Sequence, residues 1–201
     1  MNNIKIVCGA GKTKFNGWLS LNIETLDITK DKDFNFLFKE KSIDNILLEH
    51  VVEHLLYEEF VTFLTIVKKY LKHGGNIRIA VPDKNHPSKY VQELTGINGK
   101  EPGAHDHKTF YNIEDFTSIA NKTGYKLVGI EFFTNEHFFV GNDFNYENGY
   151  ISRCSKNYTG RFTKNQDEYK KMIESVPEKL RNQFKEKNIS YTSLLVDFIY
   201  E

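Results

Sequence analysis

Apolar runs with strand and helix spacing alternate along this chain. Ile4–Cys8 is a short apolar run ending in Gly9-Ala10-Gly11, which predicts a buried strand entering a tight turn. Trp18–Ile23 is a second strand-like run. Only about nine residues separate the two, fewer than a parallel crossover normally takes, so any connecting helix is short or absent. Thr29 or Asp31 is placed to cap a helix running through Phe38, and Ile43–Glu49 is a third strand. Within Tyr57–Leu71 the positions Phe60, Phe63, Leu64, Val67 and Leu71 have helical spacing, with Gly74-Gly75 as the stop. Ile77–Val81 is a fourth strand, ended by Pro82-Asp83. Lys84–Tyr111 shows little periodicity and reads as a long loop, a kind that is usually functional or disordered. Ile113–Thr123 reads as a helix stopped by Gly124, and Lys126–Phe133 as a strand. Asn135–Ser152 reads as loop or hairpin, Asp167–Lys187 as helix broken or kinked at Pro177, and Tyr191–Tyr200 as the last strand.

Strands alternating with helices imply an α/β fold around parallel strands. In such sheets ligands sit beyond the carboxyl ends of the strands. Four polar clusters fall at those ends: Gly9-Ala10-Gly11, Asn22-Ile23-Glu24, Glu49-His50 and Asp83.

Composition narrows the classes. With 201 residues the chain suits one domain with a sizeable core. Lys plus Arg and Asp plus Glu number 27 each, a balance that argues against a chain-wide nucleic-acid or membrane footprint. Aromatics reach 14%, which favours core and surface packing over pocket lining. Cys8 and Cys154 are too far apart in sequence to suggest a disulfide framework or a cysteine zinc site. The stretch Met1-Asn2-Asn3-Ile4-Lys5 has no apolar signal core, and no apolar run approaches a membrane span, so a cytoplasmic location is expected.

The motifs each have a bland alternative. Cys8-Gly9-Ala10-Gly11-Lys12-Thr13 is a glycine turn that lets backbone approach a ligand closely. A phosphate-binding loop would need glycine where Ile6 stands, and a dinucleotide fingerprint would need it at Lys14, so both fail and a plain turn remains the alternative. His50-Val51-Val52-Glu53-His54 matches the His-x-x-Glu-His zinc motif, but it follows directly from a strand instead of lying on one helical face. That favours a buried or capping His54 over a zinc ligand, and no metal ligand set is assigned. His105-Asp106-His107 suits metal binding or proton movement as well as it suits a flexible loop.

Taken in order, these segments resemble the small class I S-adenosylmethionine-dependent methyltransferases of the methyltransferase type 11 kind. The match runs through Val7–Gly11, Gly17–Ser20, Leu26–Thr29, Ser42–Ile46, Glu49–Leu55, Leu71–Gly75, Arg78–Asp83, Asp106–Lys108 and Tyr191–Asp197. The resemblance implies a Rossmann-like three-layer α/β sandwich, with a mostly parallel sheet and an antiparallel C-terminal strand. It implies one domain over residues 1–201, with 166–189 as an insertion near the acceptor site or a solvated decoration.

It also implies S-adenosylmethionine as cofactor. Cys8, Gly9, Ala10 and Gly11 would pass under its methionine part. Asn22 would hold the ribose hydroxyls where the family has a carboxylate, with Glu24 as a substitute, and Asp27 and Ile28 would meet the adenine. Glu49 and His50 would border the sulfonium. Methyl transfer is an in-line displacement that needs mainly proximity and alignment, with a base only where the acceptor must lose a proton. His50, Asp83 and His107 are the candidates for that catalytic or acceptor-orienting role. The His- and Tyr-rich middle points to a small polar acceptor. The rival readings are a cofactor-binding module without turnover, and a zinc hydrolase.

Overall fold

The computed structural model describes residues 3–201; the first two residues of the stretch read for a leader lie outside them. Strand β1 (Ile4–Cys8) pairs in parallel with β2 (Leu19–Leu21) on one side and β3 (Ile43–Glu49) on the other. The sheet continues through β4 (Leu71–Val81), which is parallel to β3. The last strand of the chain, β7 (Leu194–Ile199), then runs antiparallel between β4 and β5 (Lys126–Phe133). A hairpin from β5 adds β6 (Phe139–Gly141) at the edge. The seven strands therefore lie in the order β2-β1-β3-β4-β7-β5-β6. This is a Rossmann-like α/β sheet in which the C-terminal strand is reversed. The chain steps outward from β1 to β2 and returns on the far side to β3. The carboxyl ends of β1 and β3 thus flank a topological switch point, where an open α/β sheet leaves a crevice.

One face of the sheet is covered by α1 (Asp31–Leu37), α2 (Tyr57–Val67) and α4 (Ile113–Thr123). Alternation along β1 sends Ile6 and Cys8 to that side, where they share a core with Phe34, Phe60, Phe63, Phe116 and Phe198. Helix α4 is sharply bounded. The Asn112 and Asp115 side chains cap its first turn reciprocally, and Gly124, at φ 66°, closes it.

The opposite face carries Val7, Leu47, Ala80, Ile130 and Leu195. No helix covers it between β1 and β2. Phe15, Trp18, Phe144, Ile151 and Cys154 cover it instead, from irregular chain. That chain is anchored by buried Arg78 on β4, whose Nη1 donates at 2.8 Å to the carbonyls of both Asn145 and Gly149. The same guanidinium forms a two-pronged pair with Asp197 of β7 at 2.8 and 2.7 Å. A further core, around Phe133 and Phe139, is built with α3 (Lys89–Thr95), α6 (Gln166–Glu174) and α7 (Glu178–Glu186). The short α5 (Arg161–Lys164) contributes Phe162 to it.

Several elements differ from the sequence expectation. The helix from Tyr57 stops at Val67, and Gly74-Gly75 lies inside β4. The β3–β4 register jumps there, with Gly74 at φ 77°, so the pair of glycines supplies a bulge and not a helix stop. The second strand is three residues, shorter than Trp18–Ile23. The central loop contains α3, started by Ser88, whose hydroxyl accepts from the Val91 amide at 3.2 Å. Lys30, not Thr29 or Asp31, holds the N-cap position of α1. Pro177 separates α6 from α7. No helix among the described residues is long and apolar enough to cross a membrane.

Candidate functional site

The turn after β1 requires its glycines. Gly9 and Gly11 adopt φ of 63° and 55°, the left-handed region that a side chain resists. A Cβ on Gly9 would lie 2.6 Å from Cγ2 of Val51, in the chain leaving β3. The turn is braced by Asn22. Its Oδ1 accepts from the Gly11 amide at 2.7 Å, and its Nδ2 donates to the Gly11 carbonyl at 3.3 Å. Both polar ends of Asn22 therefore take part in the turn itself. Cys8 is buried, and burial pushes its thiol up to about 12, so it is an inert wall of the site.

Three cavities meet at this end of the sheet. One of about 270 Å³ is lined by Gly9, Ala10, Gly11, Glu49, His50 and Arg153. A second, of about 390 Å³, is lined by Gly9, Leu26, Asp27, Ile28, His50 and Lys108. A third, of about 230 Å³, is lined by His50, His54, His107, Arg153, Tyr158 and Tyr191. His50 belongs to all three, and Gly9 joins the first two. Of the polar strand ends expected from the sequence, the Gly9–Gly11 turn and Glu49-His50 line these cavities, while Asn22, Glu24 and Asp83 do not.

His50 sits at its centre under strain. Its φ is 56°, a conformation that costs a non-glycine residue about 1–2 kcal/mol. Its amide donates to the Ala80 carbonyl at 2.8 Å. Its Nε2 lies 3.0 Å from Ser193 Oγ, and that hydroxyl donates to the Arg153 carbonyl at 2.7 Å. The ring nitrogen therefore donates to Ser193. Nδ1 lies 2.9 Å from Glu53 Oε1, close enough for charge pairing but without hydrogen-bond alignment. Nε2 is committed to Ser193 and Nδ1 faces the Glu53 carboxylate, which suits a positioning group better than a free base. Glu49 uses Oε1 to accept from the Ser152 amide and hydroxyl and from the Arg153 amide, at 2.7–2.9 Å. It thereby ties the 149–153 segment to the end of β3 and forms one wall of the first cavity. Arg153 makes no ion pair among the described residues, so its charge is left for the cleft.

Burial tends to raise the Asp27 carboxyl, but bonds from Lys30 and Thr29 outweigh this and hold it below its ordinary value. It stays ionised beside Ile28. His107 lies in the third cavity with Nδ1 2.8 Å from the Thr95 carbonyl.

Asp83 is placed elsewhere. Its carboxylate accepts from the Asn85 amide at 2.8 Å and the Phe133 amide at 2.7 Å, joining the ends of β4 and β5. It does not line these three cavities. Burial pushes its carboxyl up to about 7, against the two amide bonds. His86, next along, is packed against Phe133 and Phe184, and burial holds its imidazole down at about 3, so it is a neutral core group. Sequence reasoning missed Glu53, Arg153, Tyr158 and Tyr191. The His50-x-x-Glu53-His54 motif signalled the first. The others come from segments whose aromatic composition did not locate them.

No protein-family model matches the chain, and no curated protein does. Solved structures similar to it include an S-adenosylmethionine-dependent methyltransferase from Archaeoglobus fulgidus, at 16% identity over 98% of this chain and 86% of that one, with a TM-score of 0.49. The YcgJ protein of Bacillus subtilis covers 100% of this chain and 93% of its own, at 11% identity and a TM-score of 0.46. A Haemonchus contortus phosphoethanolamine N-methyltransferase solved with S-adenosyl-L-methionine covers 99% of this chain and 48% of its own, at 10% identity and a TM-score of 0.44. At these identities and scores, what those proteins bind and do stays with them, and the function of this chain is argued from its own residues.

Proposed function

We propose that this chain binds S-adenosylmethionine and transfers its methyl group to a small-molecule acceptor. One observation carries the reading. The left-handed glycine turn after β1 and the strained His50 after β3 face each other across the switch point, and both line the cavities there. The first cavity suits the methionine part of the cofactor: Arg153 would pair with its carboxylate, and Glu49 would lie near the positive sulfur. The second suits the nucleoside, with the Asp27 carboxylate accepting from the adenine amine and Ile28 packing on the ring. Asn22 would act here first through the turn it braces, with its second N–H left for the ribose hydroxyls. The third cavity, walled by His107, Tyr158 and Tyr191, would take the acceptor on the far side of His50. His50 would orient the two ligands, and His107 would face the acceptor.

Catalysis in this arrangement is chiefly alignment. The sulfonium leaves as a neutral thioether, so holding the acceptor in line behind the methyl carbon does most of the work. A mass-spectrometric screen of hydroxylated and amine acceptors for S-adenosylhomocysteine release tests the proposal. Product that depends on the acceptor is expected. Cofactor binding with no product from any acceptor would instead favour a binding module, a reading that the commitment of His50 Nε2 to Ser193 supports.

A further inference from the structure

Glu53 is 1% exposed, and no hydrogen-bond donor reaches either of its carboxylate oxygens. A buried carboxylate without hydrogen bonds is so costly that such groups are normally paired or bound to a metal. Three imidazoles stand around it: His50 Nδ1 is 2.9 Å from Oε1 without hydrogen-bond alignment, and His54 and His107 lie on the cavity side. His54 and His107 pack edge to face with centroids 4.7 Å apart, and His107 Nε2 is 3.9 Å from Glu53 Oε1. One ligand atom from each of Glu53, His54 and His107 falls within 4.8 Å of the others.

Each histidine also has an acceptor on its other nitrogen. His107 Nδ1 is 2.8 Å from the Thr95 carbonyl, and His54 Nδ1 is 3.1 Å from Asp106 Oδ1. Such partners fix the hydrogen on Nδ1 and leave Nε2 with its lone pair, the arrangement usual behind metal-binding histidines. A tetrahedral site with bonds of about 2.1 Å has edges of about 3.4 Å, so these three groups would close around an ion by a contraction of up to about 1.4 Å.

We propose that Glu53, His54 and His107 form a binding site for one divalent transition-metal ion of the zinc class. Two imidazoles and a carboxylate suit such an ion better than magnesium or calcium, which prefer oxygen ligands. Three protein ligands leave a position open, and His54 and His107 both line the third cavity. The acceptor is then a hydroxylated small molecule held through oxygen, a conclusion that rests on the methyl-transfer reading above. An ion held there would polarise the acceptor's O–H, so that its proton would pass to solvent at the cavity mouth. The oxygen lone pair forms a bond to the methyl carbon as the carbon–sulfur bond breaks, and the released pair stays on sulfur.

The full chain, stripped with chelator and titrated with Co²⁺, tests the site directly. One equivalent is expected to bind and give the visible bands of four- or five-coordinate cobalt, with displacement by Zn²⁺. Glu53→Gln and His107→Ala should each weaken binding by tenfold or more, while exposed His73→Ala leaves it unchanged. Circular dichroism checks that the variants are folded. If they are not, the wild-type cobalt spectrum and its stoichiometry still decide. No bands with the wild-type chain, or bands undiminished in folded Glu53→Gln and His107→Ala, would overturn the proposal. Calorimetry of the metal-free chain with S-adenosylmethionine reads the methyl-transfer proposal separately. Cofactor binding without a cobalt site defeats the metal inference alone.

Discussion

At residue scale, Gly9 and Asp83 both sit at strand ends and do opposite things. Gly9 is open to a cavity, and both its conformation and the 2.6 Å approach of a Cβ to Val51 make any side chain there strained. Gly9→Ala is expected to push Val51 and the turn apart and to weaken S-adenosylmethionine binding at least about tenfold by calorimetry, a loss of about 1.4 kcal/mol. An unchanged Kd would remove the turn from the cofactor site.

Asp83 is a structural group with a pH signature. Its folded value of about 7 lies above the ordinary 3.8, so the folded chain keeps a proton that the unfolded chain loses over that interval. Its contribution to stability is complete below the unfolded value and declines as pH rises towards 7. His86 works the other way: its depressed folded value makes stability fall as pH drops below the ordinary 6.5. Comparison with Asp83→Asn separates the two. The wild-type chain should lose about 2–3 kcal/mol more than the variant between about pH 5 and pH 8 in urea unfolding. Equal pH dependence in the two chains would contradict this account of Asp83. The sequence marked Asp83 as functional because it follows a strand. Its two amide donors come from Asn85 beside it and from Phe133, fifty residues away, and no local pattern announces the second.

At element scale, the strands were largely legible, because apolar runs between turn residues have few other folded solutions. Ile4–Cys8, Ile43–Glu49 and Lys126–Phe133 run as the pattern predicts. The helix Ile113–Thr123 was equally clear, since its apolar spacing and Gly124 agree. The bulge at Gly74-Gly75 was not, because a glycine pair after a helical run is also an ordinary helix stop. Nor was the covering of the second sheet face. A helix shows in periodicity, whereas the 145–153 segment is held by Arg78 and Glu49 from distant strands. Arg78→Met would leave Asp197 buried without its cation and free the Asn145 and Gly149 carbonyls. A loss of about 3–5 kcal/mol is expected, read as a fall of the order of 10 °C in Tm. A change below a few degrees would mean that the guanidinium is not what anchors the segment.

At the scale of the whole molecule, function follows from the path of the chain. Because β2 lies on one side of β1 and β3 on the other, Gly9 and His50 are forced to face each other. The sequence made that crevice visible as polar clusters at strand ends. It did not reveal that Glu53, His54 and His107 converge in it, since His107 arrives from the central loop more than fifty residues on. The central claim is that the crevice binds S-adenosylmethionine. Isothermal titration of the purified chain with S-adenosylmethionine and S-adenosylhomocysteine tests it most directly. One-to-one binding of both is predicted, weakened by Gly9→Ala and by Arg153→Ala; no heat from either ligand at millimolar concentration would contradict the claim.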